Sequence, residues 1–170
     1  MTHDTPKLFV SYSWTSESHK NWVRQLAEDL CANGVDTRID IWHCAEGQDL
    51  HAFMESMVLD DSIQKVLIVC DSEYVAKANA RRGGVGIEAR IISPEVYKRS
   101  DQTKFAGCIL AKDAQGDAEL PVYLKGRLAF DFTDDDNYAV VLHRVVRWVY
   151  NKPFDVQPPI GPTPPFLNEN

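Results

Sequence analysis

The sequence has 170 residues, 44% of them hydrophobic and 25% charged, the make-up of one globular domain and not of a disordered chain. Lys and Arg number 18 against 25 Asp and Glu; the resulting net charge of −7 disfavours non-specific binding to nucleic acid or an anionic membrane. No apolar run approaches the roughly 20 residues that span a bilayer, and the first residues, MTHDTPK, lack the apolar core of a secretory signal. Cys31, Cys44, Cys70 and Cys108 are widely separated and form no CxxC, so neither a disulfide framework nor a metal site is expected. The chain reads as a soluble protein of a reducing, cytoplasmic compartment.

Lys7–Ser13 (KLFVSYS) is β-prone and apolar at Leu8, Phe9 and Val10. From Ser18 to Gly34, residues Trp22, Val23, Leu26, Ala27, Leu30 and Cys31 recur on one helical stripe. Ser16 or Ser18 is suited to cap that helix, and Gly34 stands where a terminating glycine belongs. Val35–Ile41 alternates as a strand does, and Leu50–Leu59 is a short helix with Phe53, Met54, Met57 and Val58 inward. Ser62–Cys70 contains VLIVC, the continuous apolar run of a strand buried on both faces. Glu73–Lys98 is mostly helical but interrupted by Gly83, Gly84 and Gly86. Phe105–Ala111 and Leu128–Phe132 supply two more strands. Asp134–Tyr150 is the last helix, with Thr133 as its cap and Asp134, Asp135 and Asp136 complementing its dipole.

Five of the nine prolines fall in Pro158–Pro165, so residues 153–170 read as a Pro-rich tail or linker behind a domain of residues 1–152. The PxxP spacings there suit an SH3-type groove, though any Pro-rich run contains them by chance. Strands alternating with helices predict an α/β, flavodoxin-like three-layer fold. Its sheet is five-stranded and mainly parallel, of order 2-1-3-4-5, with helices on both faces. Ligands of such sheets bind beyond the carboxyl ends of the strands, at the switch between the first and third. Ser11–Trp14, Trp42–Leu50 and Cys70–Tyr74 are the candidate positions.

Several chemistries fail on residue type. There is no acidic cluster after the first strand, no GxxxxGK[ST], no GxGxxG and no GxSxG. The loop SYSWTSES could hold a phosphate or ribose through hydroxyls and backbone N–H groups, or could simply cap a helix. His43, Cys44 and His51 match no standard metal spacing, and Glu46 and Asp49 read as a turn and a helix cap. The segment ARRGGVGIEAR combines glycines that permit close backbone approach, two cations suited to a phosphate (Arg81, Arg82) and one acid, Glu88; a flexible surface loop would read the same way.

Taken together these pieces resemble a TIR domain of the bacterial branch that borders on SEFIR domains. The resemblance is carried by KLFVSYSW, NWVRQLAEDLCANGVD, RIDIWHCAEGQDLHAFME, VLIVCDSEYVAKANARRGGVGIEARII and LKGRLAFDF, across about residues 7–153. It implies one of two functions. The first is cleavage of NAD+ at the nicotinamide–ribose bond, giving ADP-ribose or a cyclic isomer, as the effector part of a bacterial defence system. NAD+ would then be the substrate, and no cofactor is implied. The second is a non-catalytic adaptor acting by homotypic association. The glutamate of the catalytic kind corresponds to Glu88. Ser11, Tyr12, Ser13, Trp14, Asp40, Trp42, Cys70 and Tyr74 would border the NAD+ crevice, with Arg81 or Arg82 on the diphosphate. The resemblance further implies activation by self-association through a mobile Trp42–Leu50 loop, and a fused or separate sensor as partner.

Overall fold

The computed structural model describes residues 4–80 and 89–168. Strand β1 (Lys7–Ser11) runs parallel to β3 (Lys65–Cys70), with Phe9 opposite Val66 and Val10 opposite Leu67. The three-residue β2 (Asp36–Arg38) pairs with the other edge of β1. On the far side, β4 (Phe105–Ile109) pairs with β3, and β5 (Phe130–Asp131) closes the sheet. These four sheet pairings are all parallel and the order is 2-1-3-4-5, as the alternation of elements predicted.

Because successive strand residues point to opposite faces, the central strands feed two cores. Leu8, Val10, Leu67, Val69 and Cys108 meet helices α1 (Glu17–Ala32) and α6 (Tyr138–Val149) through Leu26, Leu30, Val141 and Val145. Phe9, Val66, Ile68 and Cys70 pack on the opposite face. There they meet α3 (Leu50–Leu59), α4 (Ser72–Asn79) and α5 (Pro94–Arg99), through Met54, Val58, Tyr74, Val96 and Tyr97. Burial on both sides is why β3 shows no polar alternation.

Local chemistry sets the helix ends. Ser16 accepts the His19 N–H at the start of α1, Asp49 that of Ala52 in α3, and Asp71 that of Tyr74 in α4. Gly34, at φ +82°, ends α1 where a side chain would be strained. At the end of α6, Asn151 takes φ +55°. Its N–H bonds the Trp148 carbonyl, and the Lys152 N–H bonds that of Arg147, a Schellman ending followed at once by Pro153.

Several boundaries differ from expectation. β1 stops at Ser11 and β2 at Arg38, because Asp40–His43 turns into a short helix, α2, before the chain reaches α3. The expected helical stretch at 73–98 contains α4 and α5, the latter capped by Ser93 with Pro94 in its first turn. The acidic run does not open α6. It forms a 3-10 turn, Asp135–Asn137, capped by Asp134, while Thr133 bonds back to Asp131. The tail from 151 to 168 is exposed at every residue, with a short 3-10 turn at Pro165–Asn168.

Candidate functional site

The carboxyl ends of β1 and β3 and the start of α2 bring the expected residues to one place. Ser11, Tyr12, Ser13 and Asp40 are all buried there. Trp14 is 40% exposed, and its indole Nε1 lies 3.1 Å from both the Tyr12 hydroxyl and Asp40 Oδ2. Burial, reinforced by the Asp40 carboxylate, pushes the Tyr12 hydroxyl well above the usual tyrosine range, so it stays protonated.

Arg90 completes this cluster. Its Nε lies 3.3 Å from Asp40 Oδ2, and its guanidinium carbon lies 3.9 Å from the centroid of the Trp14 ring. Lys20 places a second cation, its ammonium, 3.8 Å from that centroid. Asp40 and Arg90, with Ser11, Tyr12, Leu50 and Phe53, line a cavity of about 10 Å³, room for about one water molecule.

The backbone that carries Arg90 is held from beneath. Ser11 Oγ donates to the Arg90 carbonyl at 3.1 Å and lies 2.7 Å from the Tyr74 hydroxyl. That hydroxyl accepts the Ile92 N–H at 3.0 Å, and Tyr123 donates to the Ile92 carbonyl at 2.6 Å. Tyr74 therefore does not border the crevice as expected. It is wholly buried beneath it, with its pKa raised by that burial. Cys70 departs likewise. It has the strand parity of Val66 and Ile68, so its thiol points into the core beside Gly107, and burial raises its pKa. Trp42 stands 42% exposed on α2 with its ring against His43, outside the Trp14 cluster. Glu88, Arg81 and Arg82 lie outside the described residues.

A second polar group adjoins the first, between the loops after β1 and β3. Thr15 donates to Asp71 Oδ2, and His19 Nε2 lies 3.8 Å from the same oxygen. Lys77 bonds Glu73 at 2.7 Å and reaches Ser13 Oγ at 3.5 Å. Sequence reasoning missed Arg90, Lys20, His19 and Lys77, while Ser13, Asp71 and Glu73 fall within its candidate stretches; the charge of Arg90 in GIEAR was its one visible signal. Among the described residues no cluster of three or more His, Cys, Asp or Glu could hold a metal ion, and no helix is long and apolar enough to cross a membrane.

The family model of the SEFIR domain matches residues 6–147. The crystal structure of a prokaryotic SEFIR domain superposes with a TM-score of 0.77 at 37% identity, covering 92% of this chain and 99% of that one. The TIR domain of a Toll-related receptor from the lower metazoan Hydra magnipapillata superposes with a TM-score of 0.58 at 14% identity, over 85% of this chain and 98% of that one. That second likeness speaks to the fold alone. A comparison with curated proteins finds no match. The parallel 2-1-3-4-5 sheet, the matched family model and the 37% identity together place this chain in the SEFIR domain family, with the TIR-like flavodoxin fold.

Proposed function

We propose that this SEFIR domain is an NAD+ nucleohydrolase, with Glu88 as its catalytic carboxylate and self-association as its activator. The observation that carries the reading is the bond from Ser11 Oγ to the Arg90 carbonyl. It ties the chain two residues beyond Glu88 to the carboxyl end of β1, and two residues span at most about 7 Å. The switch point of a parallel sheet is where such folds bind nucleotides.

The chemistry asks little of the protein. Nicotinamide is a cationic substituent in NAD+ and departs neutral, taking the bonding electron pair, so no general acid is required. One carboxylate suffices to stabilise the oxocarbenium-like ribose. Glycosidases whose leaving group needs a proton use two. Water then adds to the ribose carbon and releases a proton, giving ADP-ribose; attack by the substrate's own adenine or ribose hydroxyl gives a cyclic isomer.

Dinucleotide sites need several hundred Å³, and the cavity beside Arg90 offers about 10 Å³. Entry therefore requires Arg90 to leave Trp14 and Asp40, a change that assembly would supply. The same small cavity favours a second reading, a non-catalytic adaptor that works by homotypic association. The test is NAD+ consumption and nicotinamide release by the protein in demonstrated oligomers, with Glu88→Ala and Glu88→Gln alongside. Turnover lost in both variants supports the enzyme. Equal turnover in the variants removes Glu88 from its role, and no turnover in any oligomer leaves the adaptor.

A further inference from the structure

At the opposite, amino-terminal end of the sheet, a groove of about 560 Å³ opens between β4, β5 and the last turns of α6. Phe105, Phe130 and Trp148 line it, Phe154 forms one wall, and Leu128, 99% exposed, stands at its lip. Its rim is basic. Arg144 and Arg147 border it, with the Arg147 guanidinium carbon 4.0 Å from the Phe154 ring centroid, and Lys65 Nζ lies 5.0 Å from that of Trp148. Aromatic-lined grooves of this kind take proline-rich segments, whose extended geometry is set before binding and so loses little entropy.

This chain carries such a segment. The Schellman ending at Asn151 directs the chain out through Pro153, Phe154 and Asp155, which themselves line the groove. Beyond them residues 156–168 are exposed throughout, with the apolar side chains of Val156, Ile160 (87% exposed), Phe166 and Leu167 largely open to solvent. Residues 156–168 carry no charged side chain and include Pro158, Pro159, Pro162, Pro164 and Pro165, so they suit the aromatic floor of the groove and not its basic rim. At about 3.1 Å per residue, the 13 residues 156–168 reach roughly 40 Å, enough to cross to a neighbouring domain.

We propose that the groove takes the Pro-rich segment 156–168 of a second copy of this chain, two copies exchanging tails reciprocally. The tail departs from the groove wall, so one two-fold operation satisfies both contacts and closes the assembly. The contact lies at the far end of the sheet from the Trp14–Arg90 cluster and stands whether or not the domain cleaves NAD+.

Sedimentation velocity of the full chain over a concentration series tests it. Leu128→Asp charges the groove lip, and Ile160→Asp with Phe166→Asp charges the tail; all three positions are exposed, so thermal unfolding by circular dichroism should match the parent chain. The expected result is a dimer whose dissociation constant rises about tenfold or more in either variant. Mixing the two variants should restore partial association, because one of the two reciprocal contacts is then intact. A chain that stays monomeric overturns the proposal, whether its tail folds onto its own groove or the groove serves another protein. A dimer indifferent to both substitutions overturns it equally.

Discussion

The guanidinium of Arg90 is shared between the face of Trp14, 3.9 Å from the ring centroid, and the carboxylate of Asp40, 3.3 Å from its Nε. Trp14 in turn donates to Asp40, so three side chains from three separate stretches of the chain hold one another. Arg90→Ala removes the stacked cation and leaves the buried Asp40 short of a partner. The expected loss is about 2 kcal/mol, read as a lower denaturant midpoint at unchanged slope. Acrylamide should also quench Trp14 more readily, as judged against a Trp14→Phe control. Arg90→Lys keeps the charge without the planar stack and should recover part of the loss. An unchanged midpoint in Arg90→Ala would show that the cluster contributes nothing.

Tyr74 fixes the segment that carries Arg90. Its hydroxyl accepts the Ile92 N–H and bonds Ser11 in a fully buried setting. Tyr74→Phe removes the hydroxyl, and Ser11→Ala removes its partner. Each leaves a buried polar group unpaired and should cost about 1–3 kcal/mol. The two share one network, so the double variant should cost less than the two losses added. Strict additivity in chemical denaturation would dissolve the network.

How much of this was readable in advance depends on the range of the interactions. β3 announced itself through VLIVC, since a strand covered on both faces is apolar without interruption. The place of Ser11 and Trp14 at the carboxyl end of β1 followed from the strand-order rule, which needs only the succession of elements, whereas Asp40 was expected there through the family resemblance. Cys70 was expected at the crevice, but strand parity with Ile68 and Val66 turns its thiol into the core. Arg90 was not legible, because its place depends on contacts with Trp14 and Asp40, which are distant in sequence. The buried Tyr74 and Tyr123 hydroxyls that anchor its segment bond backbone atoms of Ile92, and backbone acceptors and donors leave no mark in a sequence. Asp40 was expected to end a strand. It instead bonds the Ile41 N–H and opens a helical turn, a choice between local patterns that alternation cannot settle.

His19 gives the fold an acid-sensitive point. Burial lowers its pKa, outweighing the opposite pull of Asp71 after β3 and Glu73 on α4. The unfolded chain then holds the proton at a pH where the folded chain does not. The stability tied to neutral His19 is fully present above its unfolded pKa, about 6.5, and is lost as pH falls through the lower folded value. Unfolding midpoints should therefore decline on acidification below about pH 6.5, and His19→Gln should flatten that decline while leaving its carboxylate-driven part at lower pH. A profile of the same steepness in both proteins would assign the decline elsewhere.

The ends of α1 and α6 are stapled by one bond, from the Tyr150 hydroxyl to the Gly34 carbonyl at 2.6 Å. Gly34 sits at φ +82°, and a Cβ built there would lie 2.8 Å from that same hydroxyl oxygen. Gly34→Ala therefore meets two penalties at once. The left-handed backbone costs a side-chain-bearing residue about 1–2 kcal/mol, and the phenol must move and lose its bond, worth about 1 kcal/mol. The expected total is about 2–3 kcal/mol in chemical denaturation. Tyr150→Phe separates the two terms, because it removes the bond while leaving the glycine alone, and should cost about 1 kcal/mol. In the Tyr150→Phe background the missing hydroxyl relieves the crowding, so Gly34→Ala should there cost only its backbone share. If Gly34→Ala costs as much without the hydroxyl as with it, backbone conformation alone governs this corner and the staple between the two helices contributes nothing to the penalty.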